Sequence, residues 1–135
     1  MTRNELLETA GFTEEELLII SDEDALDHVK DNGAALMFIH NQTPEICLAA
    51  VTHDGSSLMY VKEQTDDIAL AAVSENPEAL SMVDNQTEDI CLAAVNIDGH
   101  ALRHVKQQTV TLCDAAVLSK PSSIQFVDMS LYPSE

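Results

Sequence analysis

The stretch QTPEICLAAVTHDGSSLMYVKEQT, residues 42–65, decides the fold because it begins and ends on the same pair of residues. Gln-Thr recurs at residues 42–43, 64–65, 86–87 and 108–109, always 22 residues apart. A glycine or proline that would interrupt a helix, which we call the breaker residue, follows the same period, at Gly11, Gly33, Gly55, Pro77, Gly99 and Pro121. A fixed period of this length is typical of tandem repeats, whose units bury their apolar faces against one another.

Each unit contains the pattern of two short helices. Thr43 is a suitable helix N-cap, followed by a proline at the first helical position and an acid where the helix dipole favours one. The run Ile46–Val51 is apolar throughout, so a buried strand is the alternative interpretation, although the cap and the Ala pair favour a helix. After Gly55, the three-residue spacing of Leu58 and Val61 indicates a second helix. Helices this short need tertiary packing, so the sequence predicts an all-α fold, a short α-solenoid of about five to six stacked helical hairpins.

The register also sets the expected boundaries. Residues 1–20 keep only Leu7, Gly11 and Leu17 of the pattern and are predicted to form a degenerate N-terminal capping unit. Residues 21–127 form the repeats, with Ser21 in place of the first Thr, and residues 128–135 are a C-terminal tail.

The charge is strongly negative. Twenty-four acids face six Lys and Arg, giving a net charge of −18. Direct nucleic-acid binding and adhesion to an anionic membrane are therefore not expected, since both surfaces repel acids. No secretory signal opens the chain and no segment has the length of a membrane span, so we expect a cytoplasmic protein.

The acids follow the repeat register, at helix starts and at the turns between helices. Helix dipoles explain the acids at helix starts, but they do not explain the scarcity of Lys and Arg elsewhere. Six layers at about 10 Å each would carry one net charge per about 3 Å, within a factor of about two of duplex DNA. The candidate partner-binding residues are Glu23, Glu45, Asp54, Asp66, Asp67, Glu88, Asp89 and Asp98. A merely solubilising role for these acids is the alternative.

Cysteines and histidines give weaker signals. Cys47, Cys91 and Cys113 share one column of the repeat, where adjacent layers are too far apart for a disulfide, so we expect buried structural thiols. His100 and His104 have an i, i+4 spacing that a metal could use, but no third ligand is evident. His104 also belongs to a column of packing residues with Phe38, Tyr60, Met82 and Phe126. We expect no metal, no cofactor and no enzymatic activity, since no nucleophile elbow, phosphate-binding loop or metalloprotease motif occurs.

Residues 42–105 resemble a family of short tandem repeats of unknown function found in bacterial, phage and giant-virus proteins. The resemblance rests on Gln-Thr-Pro-Glu-Ile-Cys-Leu-Ala-Ala-Val, then Asp-Gly, Leu and Tyr-Val-Lys-Glu-Gln-Thr, and extends over about residues 21–127. It implies the repeat fold and no activity, cofactor or site residue.

The sequence therefore predicts a non-catalytic binding protein that presents acids to a basic partner surface. The sharper hypothesis is nucleic-acid mimicry, by which a phage protein would inhibit a nucleic-acid-binding machine such as a restriction or CRISPR effector. The alternative is an interaction scaffold whose groove grips a peptide or helix through Tyr60, Met82 and His104.

Overall fold

The structure, a computed structural model, describes residues 1–11, 13 and 21–134. The α-helices are Arg3–Ala10 (α1), Asp22–Asp31 (α2), Pro44–His53 (α3), Asp66–Glu75 (α4), Glu88–Ile97 (α5) and Val110–Ser119 (α6). The 3₁₀ helices are Gly33–Phe38 (η1), Gly55–Tyr60 (η2), Pro77–Met82 (η3), Gly99–His104 (η4), Pro121–Phe126 (η5) and Met129–Leu131 (η6). No β-strand occurs in the described ranges, so the apolar runs are helical and the all-α solenoid is confirmed.

The predicted N-caps begin each α-helix of the repeats. The Thr43 side chain accepts a hydrogen bond from the Ile46 backbone N–H at 3.2 Å, and Thr65, Thr87 and Thr109 repeat this contact in later units. Ser21 does the same for α2, at 3.2 Å from the Asp24 nitrogen. Each cap satisfies one of the N–H groups that a helix start leaves unpaired, so it fixes where the helix begins.

The second helix of each hairpin is a six-residue 3₁₀ helix. In η1 to η4 the residue before the Gly or Pro caps the helix: Asp54 accepts from the Ser56 N–H at 3.0 Å, and Asn76 accepts from the Glu78 N–H at 3.1 Å. Leu58 and Val61 stand three residues apart, which is one full turn of a 3₁₀ helix, so both face the core.

The units stack in two columns, one of α-helices and one of 3₁₀ helices. Each α-helix contacts the α-helix of the next unit, each 3₁₀ helix contacts the next 3₁₀ helix, and η2, η3 and η4 each pack against the α-helices of their own and the following unit. The units that begin at Thr43, Thr65 and Thr87 contribute the same positions to one continuous core. In the Thr43 unit these are Ile46, Cys47, Ala50, Val51, Leu58 and Val61.

The Gln of each Gln-Thr pair ties its unit to the next. Gln64 donates from Nε2 to the Met82 carbonyl at 2.8 Å and accepts from the Asp84 N–H at 3.0 Å. Gln42, Gln86 and Gln108 make the same two bonds to the residues 18 and 20 positions further on. We call these four side chains the Gln clamps. They occupy backbone groups that follow each 3₁₀ helix and have no helical partner.

The two ends of the stack differ. At the N-terminal end, Leu6 and Leu7 of α1 pack against Phe38. The Arg3 guanidinium lies 5.5 Å from the centre of the Phe38 ring. At the other end, the Tyr132 hydroxyl of the predicted tail donates to Asp114 at 2.5 Å. Leu17 of the predicted capping unit and Glu135 of the tail lie outside the described residues.

Candidate protein-binding edge

One edge of the solenoid is lined with acids because each α-helix from α2 to α5 begins there. We call it the acidic edge and define it by seven exposed residues: Asp22, Glu23, Glu45, Asp66, Asp67, Glu88 and Asp89. The edge ends at α6, whose first turn carries no acid. The stacking of α-helices thus turns a local preference of helix starts into a row of carboxylates along the molecule.

Six of the eight predicted partner-binding residues lie on this edge, and two do not. Asp54 and Asp98 follow the C-terminal ends of α3 and α5, about 15 Å from the edge along a ten-residue helix. Both carboxylates are used locally as caps. Asp54 accepts from the Ser56 hydroxyl at 2.6 Å, and Asp98 accepts from the His100 N–H and lies 3.9 Å from the Lys120 ammonium.

Among the residues that the structure describes, no ion pair involves a carboxylate of the acidic edge. The ion pairs in the described part of the chain join Glu78 to Arg103 and His104, and Lys120 to Asp98. Lys62 and Lys106 instead donate from Nζ to backbone carbonyls of the preceding unit, His40 at 3.2 Å and Asp84 at 3.3 Å. The edge therefore keeps its charge exposed to an approaching partner.

A groove opens between the starts of α2 and α3 on the same edge. It has a volume of about 580 Å³ and combines three carboxylates, Asp22, Glu23 and Glu45, with the apolar surfaces of Leu26 and Pro44. Lys and Arg side chains have an apolar stem and a charged head, so this combination suits their binding. Asp22 was not among the predicted contacts, although its place directly after the Ser21 cap follows the same rule as Asp66 and Glu88.

A second polar cluster lies on the column of 3₁₀ helices. Glu78 accepts from Arg103 Nη2 at 2.7 Å and lies 2.8 Å from His104 Nε2, and these two bonds lower the pKa of the Glu78 carboxyl. His100 turns to Ser122 instead, with Nε2 2.6 Å from the hydroxyl, and packs edge-to-face on Phe126. The two histidines thus have different partners, and no group of three metal-ligating side chains occurs among the residues that the structure describes.

The three cysteines are buried and free, as predicted. Cys47, Cys91 and Cys113 each point their thiol at the clamp glutamine of their own unit, with Sγ 3.3 to 3.8 Å from Oε1. Burial raises the pKa of the Cys47 and Cys91 thiols above the usual value, so these groups stay protonated near neutral pH.

None of the described helices combines the length and the apolar character needed to cross a bilayer. Comparison with protein-family models, curated proteins and solved structures finds no match for this chain. The resemblance to a repeat family therefore stays a prediction.

Proposed function

We propose that this protein is a non-catalytic binding protein whose acidic edge occupies a basic surface of a partner protein. The observation that carries the proposal is the row of seven exposed carboxylates on four successive helices, with no ion pair to any of them in the described part of the chain. Such a row speeds association with a basic surface and repels acidic ones.

The spacing of the charges supports a partner that also binds nucleic acid. Packed helices lie about 10 Å apart, so the seven carboxylates on four helices place one charge per about 6 Å along the edge. One strand of duplex DNA carries one phosphate per about 3.4 Å of helix axis. A nucleic-acid-binding machine, such as a restriction or CRISPR effector, neutralises phosphates with Arg and Lys side chains, and in this proposal the carboxylates of the edge pair with those side chains. The protein would inhibit such a machine by occupying the surface that those side chains form.

Charge reversal on the edge tests this function. We compare the wild type with the triple variant Glu45→Lys, Asp67→Lys, Asp89→Lys, using tagged proteins to capture partners from bacterial lysate at low and high salt. A matched control, Glu8→Lys, Asp27→Lys, Asp31→Lys, changes the net charge equally at exposed positions off the edge. Circular dichroism confirms that the variants remain helical.

We expect the wild type and the control to retain nucleic-acid-binding proteins that salt and competing duplex DNA release. The edge variant should bind them at least about tenfold more weakly, because contacts between exposed charges are lost. Equal retention by both triple variants would contradict the acidic edge as the binding site. A salt-resistant partner that is lost on changing Tyr60 and Met82 would instead identify a scaffold that binds through the column of 3₁₀ helices.

A further inference from the structure

The last repeat exposes side chains that every earlier repeat buries. Ile124 is 53% exposed, whereas Leu58, Leu80 and Leu102 in the same register are at most 1% exposed. Val127 is half-buried, whereas Val61, Val83 and Val105 are buried. The reason is that these positions form the stacking face of a unit, and no further unit follows η5 and η6 in the structure.

The exposed apolar surface is concentrated at this end. Among the described residues, five of the ten exposed large hydrophobic side chains lie between residues 110 and 131. A groove of about 440 Å³, which we call the open end, is lined there by Leu118, Ile124, Val127, Met129 and Tyr132. Asp114 also lines it, and its carboxylate accepts from the Tyr132 hydroxyl. Terminal repeats of solenoids normally carry a polar outer face, so an apolar one marks an interaction surface.

The charge of the open end favours a second copy of the chain as its partner. Residues 101–135 hold three acids and three bases, whereas the rest of the chain carries the whole net charge of −18. Two copies therefore repel each other along most of their surfaces and least at this end. At the opposite end, α1 already covers part of the described surface by packing Leu7 on Phe38.

We propose that the open end binds the open end of a second copy, giving a dimer with two-fold symmetry. In such an isologous contact the same patch serves both protomers and growth stops at two. Each copy then supplies the apolar stacking face that the last repeat of the other lacks. This inference is independent of the acidic edge, since none of the seven edge residues lines the open end.

Light scattering coupled to size-exclusion chromatography tests the dimer over about 1 to about 500 μM protein, the range in which modest interfaces dissociate. We expect twice the monomer mass at the upper concentrations, with a dimer that tightens when salt screens the repulsion between the acidic bodies. Leu118→Lys with Met129→Lys should weaken the dimer at least about tenfold, because four ammonium groups would have to enter one apolar contact. Both side chains are largely exposed, at 85% and 60%, so the fold should be retained.

The matched control is Met37→Lys with Met59→Lys, which adds the same charge on the column of 3₁₀ helices, in the register where Arg103 stands naturally. It should leave the dimer intact. A monomer at every concentration would overturn the proposal, and so would a dimer that survives Leu118→Lys with Met129→Lys. A mass that grows continuously with concentration would show head-to-tail addition and overturn the closed dimer.

Discussion

A buried serine shows how closely neighbouring repeats are matched. The Ser57 and Ser123 hydroxyls are buried without a hydrogen-bond partner. Each lies against a glycine of the preceding unit, because a Cβ on Gly33 would lie 2.5 Å from Ser57 Oγ, and Gly99 stands in the same relation to Ser123. Ala101 stands at the position of these serines in the unit that follows Pro77. The missing Cβ of glycine thus makes room for the extra oxygen in the next layer.

This pairing predicts that Ser57→Ala keeps or raises the stability of the protein. The change removes a buried hydroxyl that has no partner, which relieves a desolvation cost of about 1 kcal/mol or more. Urea unfolding followed by circular dichroism measures the free energy of unfolding. The reverse change, Ala101→Ser, should lower it by about 1–3 kcal/mol, since a hydroxyl would be buried without a partner beside Pro77. A loss of stability in Ser57→Ala would show that the hydroxyl is hydrogen-bonded in solution.

The choice between Gly and Pro at the breaker position has a similar cause. The Gly55 N–H donates to the Glu75 carboxylate of the next unit. In the unit after Pro77, Ile97 stands at the position of Glu75. Proline has no N–H to donate, so an apolar residue there loses nothing. In these two units the breaker residue and the side chain that covers it therefore differ together.

At the scale of the elements, the Gln clamps hold consecutive units in register. We predict that Gln64→Ala lowers the free energy of unfolding by about 1–3 kcal/mol, because the Met82 carbonyl and the Asp84 N–H lose their partner. The control is Gln107→Ala, an exposed glutamine one position before a clamp, which should change stability by less than about 0.5 kcal/mol. Urea unfolding compares the two, and an equal effect would contradict the role of the clamp.

The sequence predicts the α-helices well, but it predicts the 3₁₀ helices and the contacts between units less well. Thr43 and Pro44 act locally, so the helix start could be read from adjacent residues. The 3₁₀ form of the second helix could not, because a three-residue spacing of Leu58 and Val61 suits both kinds of helix. The role of Gln64 also escaped prediction, since its partners lie 18 and 20 residues away, in the next unit.

The candidate site shows the same limit. Register alone places Glu45, Asp67 and Asp89 on one edge, because equivalent residues of stacked units are neighbours. It also gives Asp54 and Asp98 as contacts, but their carboxylates bond to the backbone of the following 3₁₀ helix. A charge count does not distinguish an acid that faces solvent from one that caps a helix. The pattern Asp-Gly-x-x-Leu, with the acid directly before the breaker, is the signal that separates them.

At the scale of the whole molecule, a net charge of −18 opposes the compact state. We predict that the melting temperature rises between about 0.02 M and about 0.5 M NaCl, because salt screens the repulsion among the carboxylates. The edge variant Glu45→Lys, Asp67→Lys, Asp89→Lys should gain less from salt, since it has three fewer negative and three more positive charges. Differential scanning calorimetry at matched protein concentration measures both, and an equal gain would locate the repulsion elsewhere.

The contacts between consecutive units have a consequence for how such a protein changes over generations. Because each unit packs mainly on the unit before and the unit after it, duplication or loss of one 22-residue segment changes contacts only at the site of the event. Each event lengthens or shortens the acidic edge by one fixed step. Recombination between similar segments can therefore change the length of the molecule in steps of one unit, whereas an ordinary globular domain would have to rebuild its core.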